Sequence, residues 1–241
     1  MSAELLGRKL IDCGTKIVAV GRNYAAHAKE LGSAIPKEPV LFLKPTSSYV
    51  REPDPIEIPK PITEVDYEAE IGVVIGRRAK DVFEEEAWNY VRGYVLALDM
   101  TARSLQNVAK EKRLPWTVSK GYDTFTPISK FFQLKKTPIP PLSFWLKVDG
   151  QTKQKGCTSD MIFSIPFLIH YISGIMTLNE GDMILTGTPH GVGPVKAGQT
   201  ITAGIASPAV QMTFPVITRP DPERTKSPFL SESLDGTDVP Q

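Results

Sequence analysis

The stretch VDYEAEIGVV (residues 65–74) sets carboxylates at every second position and then runs into an apolar, β-branched segment. Residues two apart in a strand point the same way, so one continuous strand would carry Asp66, Glu68 and Glu70 on a single face. Like charges on one face repel, and burial adds a desolvation cost. A divalent cation among them removes both penalties. An edge strand with solvated acids is the competing reading.

On the N-terminal side of this stretch, KIVAVG (16–21) reads as a strand and Asn23 as the cap of a short helix, YAAHAKEL (24–31), that stops at Gly32. PVLFLKP (39–45) is a proline-bounded strand. On the C-terminal side, residues 81–84 (DVFE) form a capping-box pattern opening a helix over EEEAWNYV (84–91), and GYVLALDM (93–100) returns as a buried strand ending at Asp99. Thr101 starts a helix, TARSLQNVAKEKR (101–113), that Leu114-Pro115 ends. Asp149-Gly150 between two alternating runs predicts a hairpin. A buried helix over 163–176 leads to the strand DMILTGTP (182–189), a glycine-rich loop, and the strands QTITAGI (199–205) and VQMTFPV (210–216). Residues 1–15 are loosely patterned, and 219–241, rich in Pro, Ser and charge, read as a mobile tail. The expected unit is therefore 16–218. Many strands with a few short helices do not make a regular βαβ repeat, so the expected class is α+β, strand-rich and mixed.

A chain of 241 residues, 41% of them hydrophobic, can bury the core of one domain. A formal charge of +1 and the lack of any Lys/Arg run argue against a nucleic-acid partner. The two cysteines, Cys13 and Cys157, lie outside any CxxC spacing, which argues against a disulfide framework or a thiolate zinc site. The most apolar run, MIFSIPFLIHYISGIM (161–176), is short for a bilayer and contains Pro166 and His170, so no membrane span is expected. MSAELLGRKLIDCGTK (1–16) mixes acids with bases and lacks a secretory h-region, so the expectation is a mitochondrial or cytoplasmic protein, not a secreted one.

Four groups of residues can carry chemistry. Asp99 follows four apolar residues and would emerge at the lip of a core, where it joins Glu68 and Glu70 as oxygen ligands for a hard cation such as Mg²⁺. A helix cap is its ordinary alternative, and Asp66 ligates equally well on spacing alone. His27 and Glu30, three apart on one helix face, read either as a base oriented by a carboxylate or as an exposed pair. Of the three histidines, His170 lies in the apolar helix and reads as structural. Arg103 and Gln106, with Lys120 beyond the proline break, suit an anionic substrate, with a solvated helix face as the alternative for the first two. LTGTPHGVGPV (185–195) lacks the GK[ST] of a phosphate loop, so a nucleotide site is not expected. A backbone nest with the Thr188 hydroxyl suits a carboxylate, and a tight turn is the competitor.

Taken together, GRNYAAHAKEL (21–31), EPVLFLKP (38–45), the ExE strand, YVLALDMTAR (94–103), LPWTVSKGYDTFTP (114–127), DMIFSIPFLIHYIS (160–173) and LTGTPHGVGPV resemble the fumarylacetoacetate hydrolase family over 16–216, and most of all its acylpyruvase and oxaloacetate decarboxylase branch. The resemblance implies a strand-rich mixed β-roll, usually a homodimer. It implies Glu68, Glu70 and Asp99 as ligands of Mg²⁺, with Mn²⁺ as a substitute, and leaves Asp66 as a neighbour. It implies His27 and Glu30 as a catalytic dyad on a lid segment, and Arg103, Gln106, Lys120 and Thr188 as the groups that hold the substrate carboxylate and reacting oxygens. The implied substrates are small 2-oxo acids reacting through one enolate: acylpyruvates by C–C hydrolysis and oxaloacetate by decarboxylation, with enol-keto tautomerisation of oxaloacetate as the alternative on the same site. A protein that binds 2-oxo acids with little turnover is the rival from another class. The intact His27 and Glu30 speak against it, since a binder needs no base.

Overall fold

The alternating runs form strands where expected, but the tertiary structure decides where each one ends. A computed structural model describes residues 3–30, 34–134 and 138–221. In chain order its strands are β1 (Ile17–Gly21), β2 (Val40–Lys44), β3 (Tyr49–Val50), β4 (Ile56–Ile58), β5 (Glu64–Tyr67), β6 (Ala69–Ile75), β7 (Val91–Leu98), β8 (Thr126–Pro127), β9 (Ser143–Val148), β10 (Gln151–Cys157), β11 (Met183–Leu185), β12 (Gly193–Lys196), β13 (Thr200–Ile205) and β14 (Val210–Thr218). The α-helices are α1 (Ala3–Asp12), α2 (Ala25–Glu30), α3 (Arg103–Glu111), α4 (Thr117–Lys120) and α5 (Ile165–Ile175). The fold is strand-rich α+β, as the element order implied.

Two five-stranded sheets make the body, ordered β2-β1-β11-β6-β7 and β10-β9-β13-β14-β4. Both are mixed, with β1 parallel to β11 and β14 parallel to β4. Every residue of β6 is buried, which explains why its apolar run does not alternate: both faces of the strand are covered. Val18, Ile71, Val73, Leu96 and Ile184 face a core shared with Phe144, Leu146, Ile201 and Phe214 of the second sheet and with Leu168 and Ile172 of α5. Ile17, Ala19, Val74, Val95, Ala97, Met183 and Leu185 face the opposite way, against Ile11 of α1, Ile128 and Phe131. This second face positions the chemistry. Glu70 pairs with Ala97, Phe42 with Ala19 and Lys44 with Ile17, so the period of two puts Phe42, Lys44 and Glu70 on it, with Asp99 one step beyond the end of β7.

Four local expectations are corrected. The ExE stretch is two strands, because the chain leaves one pairing for another at Glu68: β5 pairs with β12, whereas β6 lies between β11 and β7. Thr101 starts no helix, since it exchanges both backbone hydrogen bonds with Asp66, and α3 begins two residues later. The capping box at 81–84 does not form. The Asp81 N–H is tied to the Ser173 carbonyl of α5, and a 3₁₀ helix (Glu84–Tyr90) follows with Phe83 at its uncapped start. The loosely patterned N-terminus contains α1, whose apolar signal is weak because Gly7 and Ile11 are its buried positions while Leu5 and Leu6 stay exposed. The Asp149-Gly150 hairpin forms as expected, with φ of 48° and 78° at the turn. Arg219 is anchored by Glu57 and Asp123, and the rest of the expected tail, 222–241, lies outside the described residues.

Candidate active site

The break at Glu68 sorts the three acids of the opening stretch. Asp66 stays with β5 and accepts a hydrogen bond from Arg103 Nε at 2.7 Å. The Glu68 carbonyl takes the Asp99 N–H, drawing the ends of β6 and β7 together. Glu68, Glu70 and Asp99 are all buried and each offers an oxygen within 4.8 Å of the other two, whereas Asp66 is not in the group. Burial, then Asp99 and Glu68, push the Glu70 carboxyl well above the usual carboxylate range, against one N–H donated by Gly187 at 2.7 Å. Gly187 can present that N–H because its φ is 94°, and a Cβ there would lie 2.7 Å from Asn23 Cβ. Crowded, buried oxygen donors, with one carboxylate left without a cation partner among the described residues, suit a hard divalent ion, and these residues fit one.

Cations surround the other two acids. Lys120, at the end of α4, donates to Glu68 at 2.9 Å and to Asp99 at 2.5 Å. Burial alone would lower the Lys120 pKa, but Asp99 and Glu68 outweigh it and raise it. Lys44 donates to the other Asp99 oxygen at 2.5 Å and to the Phe125 carbonyl at 2.7 Å. Burial lowers its pKa, Asp99 opposes this and Lys120 adds to it. Arg103 forks between Asp66, Glu68 (2.5 Å) and Gln106, whose side-chain oxygen accepts from Nη1. Burial would raise the Glu68 carboxyl, yet Lys120, Arg103 and His27 hold it well below its ordinary value.

The remaining expected residues arrive from other elements. His27 is buried on α2, and its Nδ1 lies 3.1 Å from Glu30, whose second oxygen accepts the Gly191 N–H at 3.0 Å. Of the pair, His27 is buried and Glu30 is exposed. Thr188 donates to the Ala69 carbonyl and accepts from Gln154, so the glycine-rich loop is stitched to β6, and its backbone serves two carboxylates, Glu70 through Gly187 and Glu30 through Gly191. His170 Nδ1 sits 2.7 Å from the Val82 carbonyl, well apart from these groups in the fold. A cavity of about 410 Å³ is lined by His27, Glu68, Glu70, Asp99, Arg103, Gln106, Lys120 and Thr188, with Arg22, Lys110 and Trp116 also on its wall. Glu30 does not reach it.

Sequence reasoning missed Lys44, Gln154, Arg22 and Lys110. Lys44 alone had a signal, a lysine closing the apolar run of a strand.

Residues 16–216 match the fumarylacetoacetate (FAA) hydrolase C-terminal family. The chain is similar to a mitochondrial oxaloacetate tautomerase of Arabidopsis thaliana, 62% identical over 82% of this chain and 89% of the relative. It is also similar to a mitochondrial oxaloacetate decarboxylase of Dictyostelium discoideum, 57% identical over 88% of this chain and 98% of the relative. Among solved structures it resembles a fumarylpyruvate hydrolase from Pseudomonas aeruginosa in complex with Mn²⁺ and pyruvate, with a TM-score of 0.79, 32% identity, and coverage of 86% of this chain and 91% of that one.

Proposed function

The chain belongs to the fumarylacetoacetate hydrolase family, and from that premise we propose that it is a divalent-metal-dependent enzyme of short 2-oxo acids. It acts on acylpyruvates by C–C hydrolysis and on oxaloacetate by decarboxylation to pyruvate, and the same site serves enol-keto exchange of oxaloacetate, the activity in the Arabidopsis relative's name. The observation that carries this reading is the convergence of three buried carboxylates, Lys120, Arg103 and His27 on one cavity.

Glu68, Glu70 and Asp99 would hold the ion, which we take to be Mg²⁺ with Mn²⁺ as a substitute. When bound, it supplies a Lewis acid for the negative charge that all three reactions place on the 2-oxo oxygen. Arg103 and Gln106, on one face of α3, and Thr188, once its hydroxyl turns from the Ala69 carbonyl, hold the substrate carboxylate. Lys120 lies between Glu68 and Asp99, where its charge steadies a developing oxyanion. His27 turns Nδ1 to Glu30, which leaves Nε2 to move a proton at C3 of oxaloacetate or to activate water against an acyl carbonyl. A single base and a single electron sink suffice for the three outcomes.

The test is turnover of oxaloacetate and acetylpyruvate by purified protein with Mg²⁺, Mn²⁺ or EDTA, following enol and keto absorbance alongside pyruvate release. Metal-dependent pyruvate formation or enol-keto exchange is expected. If neither signal changes, the reading as a binder of 2-oxo acids moves to first place. His27→Ala is expected to lower kcat by about 10²- to 10⁴-fold, the usual contribution of a general base, while the melting temperature still rises on adding metal. Unchanged kcat would remove the histidine from the reaction. The proposal extends to a homodimer, measurable by sedimentation, and to a mitochondrial or cytoplasmic location, on the likeness to the two mitochondrial relatives.

A further inference from the structure

At the inner end of the cavity Lys44, Lys120 and Arg103 already pair with Glu68, Asp99 and Asp66, and Glu70 is left to the proposed metal. The same cavity carries two more cations, Arg22 and Lys110. Neither makes an ion pair with a carboxylate among the described residues. Arg22 directly follows β1 with φ of 60°, a left-handed conformation uncommon for arginine, and its Nε is buried with no hydrogen-bond partner. Lys110 stands seven residues after Arg103 on α3, and Arg103, Gln106 and Lys110 therefore share one face of the helix. Its ammonium rests over the Trp116 ring at 5.6 Å from the centroid. Burial, then Arg103, lowers the Lys110 pKa, with Lys120 and Arg22 adding to this and Glu68 opposing it. Two cations without a carboxylate partner among the described residues, on the wall of a cavity where Glu68 and Asp99 are already paired and Glu70 belongs to the proposed metal site, suit an anion from outside the chain.

We propose that Arg22 and Lys110 form a second anion subsite that takes the distal carboxylate of a dicarboxylic 2-oxo acid, so that the enzyme selects dicarboxylates such as oxaloacetate over monocarboxylates such as acetylpyruvate. The inference rests on the functional reading above and adds the substrate class. Arg103, Gln106 and Thr188 face the common 2-oxo acid end of either substrate. Arg22 and Lys110 face the end that differs. Trp116 and Phe42, with ring centroids 5.4 Å apart, form the apolar wall for the carbon chain between the two ends.

The experiment compares kcat/KM for oxaloacetate and acetylpyruvate on the same metal-loaded preparations of the wild type, Lys110→Gln and Arg22→Asn/Lys110→Gln. Asparagine is chosen because it tolerates the positive φ of position 22. In the double variant the ratio of oxaloacetate to acetylpyruvate efficiency is expected to fall by about tenfold or more, the scale of a lost charge-assisted hydrogen bond. Pyruvate, which has no distal carboxylate, is expected to bind the Mn²⁺-loaded variants within about threefold of wild type, less than a lost hydrogen bond would cost. Lys110→Gln, a change on an exposed helical residue, is expected to give a smaller fall in the ratio and covers the case of a double variant that does not fold. A ratio that stays at the wild-type value overturns the subsite, whether or not both activities drop. Wild-type protein inactive on both compounds overturns the functional reading and the subsite with it.

Discussion

Glu70→Gln is expected to leave the metal-free protein folded and to abolish both its thermal stabilisation by Mn²⁺ and its turnover. The carboxyl is buried among Glu68 and Asp99, and among the described residues its hydrogen-bond donor is the N–H of Gly187. Glutamine keeps the shape, accepts that N–H through its side-chain oxygen and removes a charge from a crowded group, so the apo protein has nothing to lose. A divalent ion does, because a neutral amide replaces an ionised ligand. At a hundredfold excess over its Kd an ion bound only by the folded protein adds about 2.7 kcal/mol. For a chain of this size that is roughly 5–10 °C in Tm, and the variant should show none of it. Removing about 4 kcal/mol of Lewis-acid stabilisation lowers kcat roughly a thousandfold. Melting curves with EDTA and with Mn²⁺, run beside the turnover assay, decide the matter: an undiminished Mn²⁺ shift in Glu70→Gln would take the residue out of the ligand set.

Lys44→Met is expected to produce a large loss of stability. The ammonium is fully buried and joins one Asp99 oxygen to the Phe125 carbonyl, tying together β2, the end of β7 and the segment before β8. Methionine preserves the length and the apolar stem, which isolates the effect of the charge. Removing one partner of a buried ion pair costs about 3–5 kcal/mol, since Asp99 keeps Lys120 on its second oxygen but the oxygen that Lys44 held gains no water. At about 2–4 °C per kcal/mol the melting temperature falls by roughly 6–20 °C. The loss should be greatest in EDTA and smaller with saturating Mn²⁺, because a cation at Asp99 compensates part of the stranded charge. A melting temperature within about 2 °C of wild type in EDTA would show that the pair contributes no more than a surface salt bridge does.

The contrast between these residues explains how far the chain could be read before it was folded. Glu68, Glu70 and Asp99 stood out because acids are out of place beside long apolar β-branched runs, and His27 with Glu30 because their spacing puts them on one turn of a helix. The hairpin at Asp149-Gly150 was equally legible, since the two turn residues set their own backbone angles. Each of these signals is complete within a few neighbouring residues.

The rest depended on contacts between distant parts of the chain. Lys44 meets Asp99 across 55 residues and Lys120 meets Glu68 across 52, and no local pattern encodes either distance. The split between β5 and β6 at Glu68 was decided by competition for backbone hydrogen bonds: β12 and Thr101 claim one side, β7 and β11 the other. Alternation alone could not separate Asp66 from the proposed ligands, because all three acids obey the same period of two. Once the strand divided, Asp66 went to Arg103 and the other two faced Asp99. Strand propensity, acidic spacing and turn chemistry are properties of short segments and needed nothing but the sequence. Which carboxylate keeps a cation partner among the described residues and which does not depends on burial and on partners that only the packed sheets bring within a few ångströms.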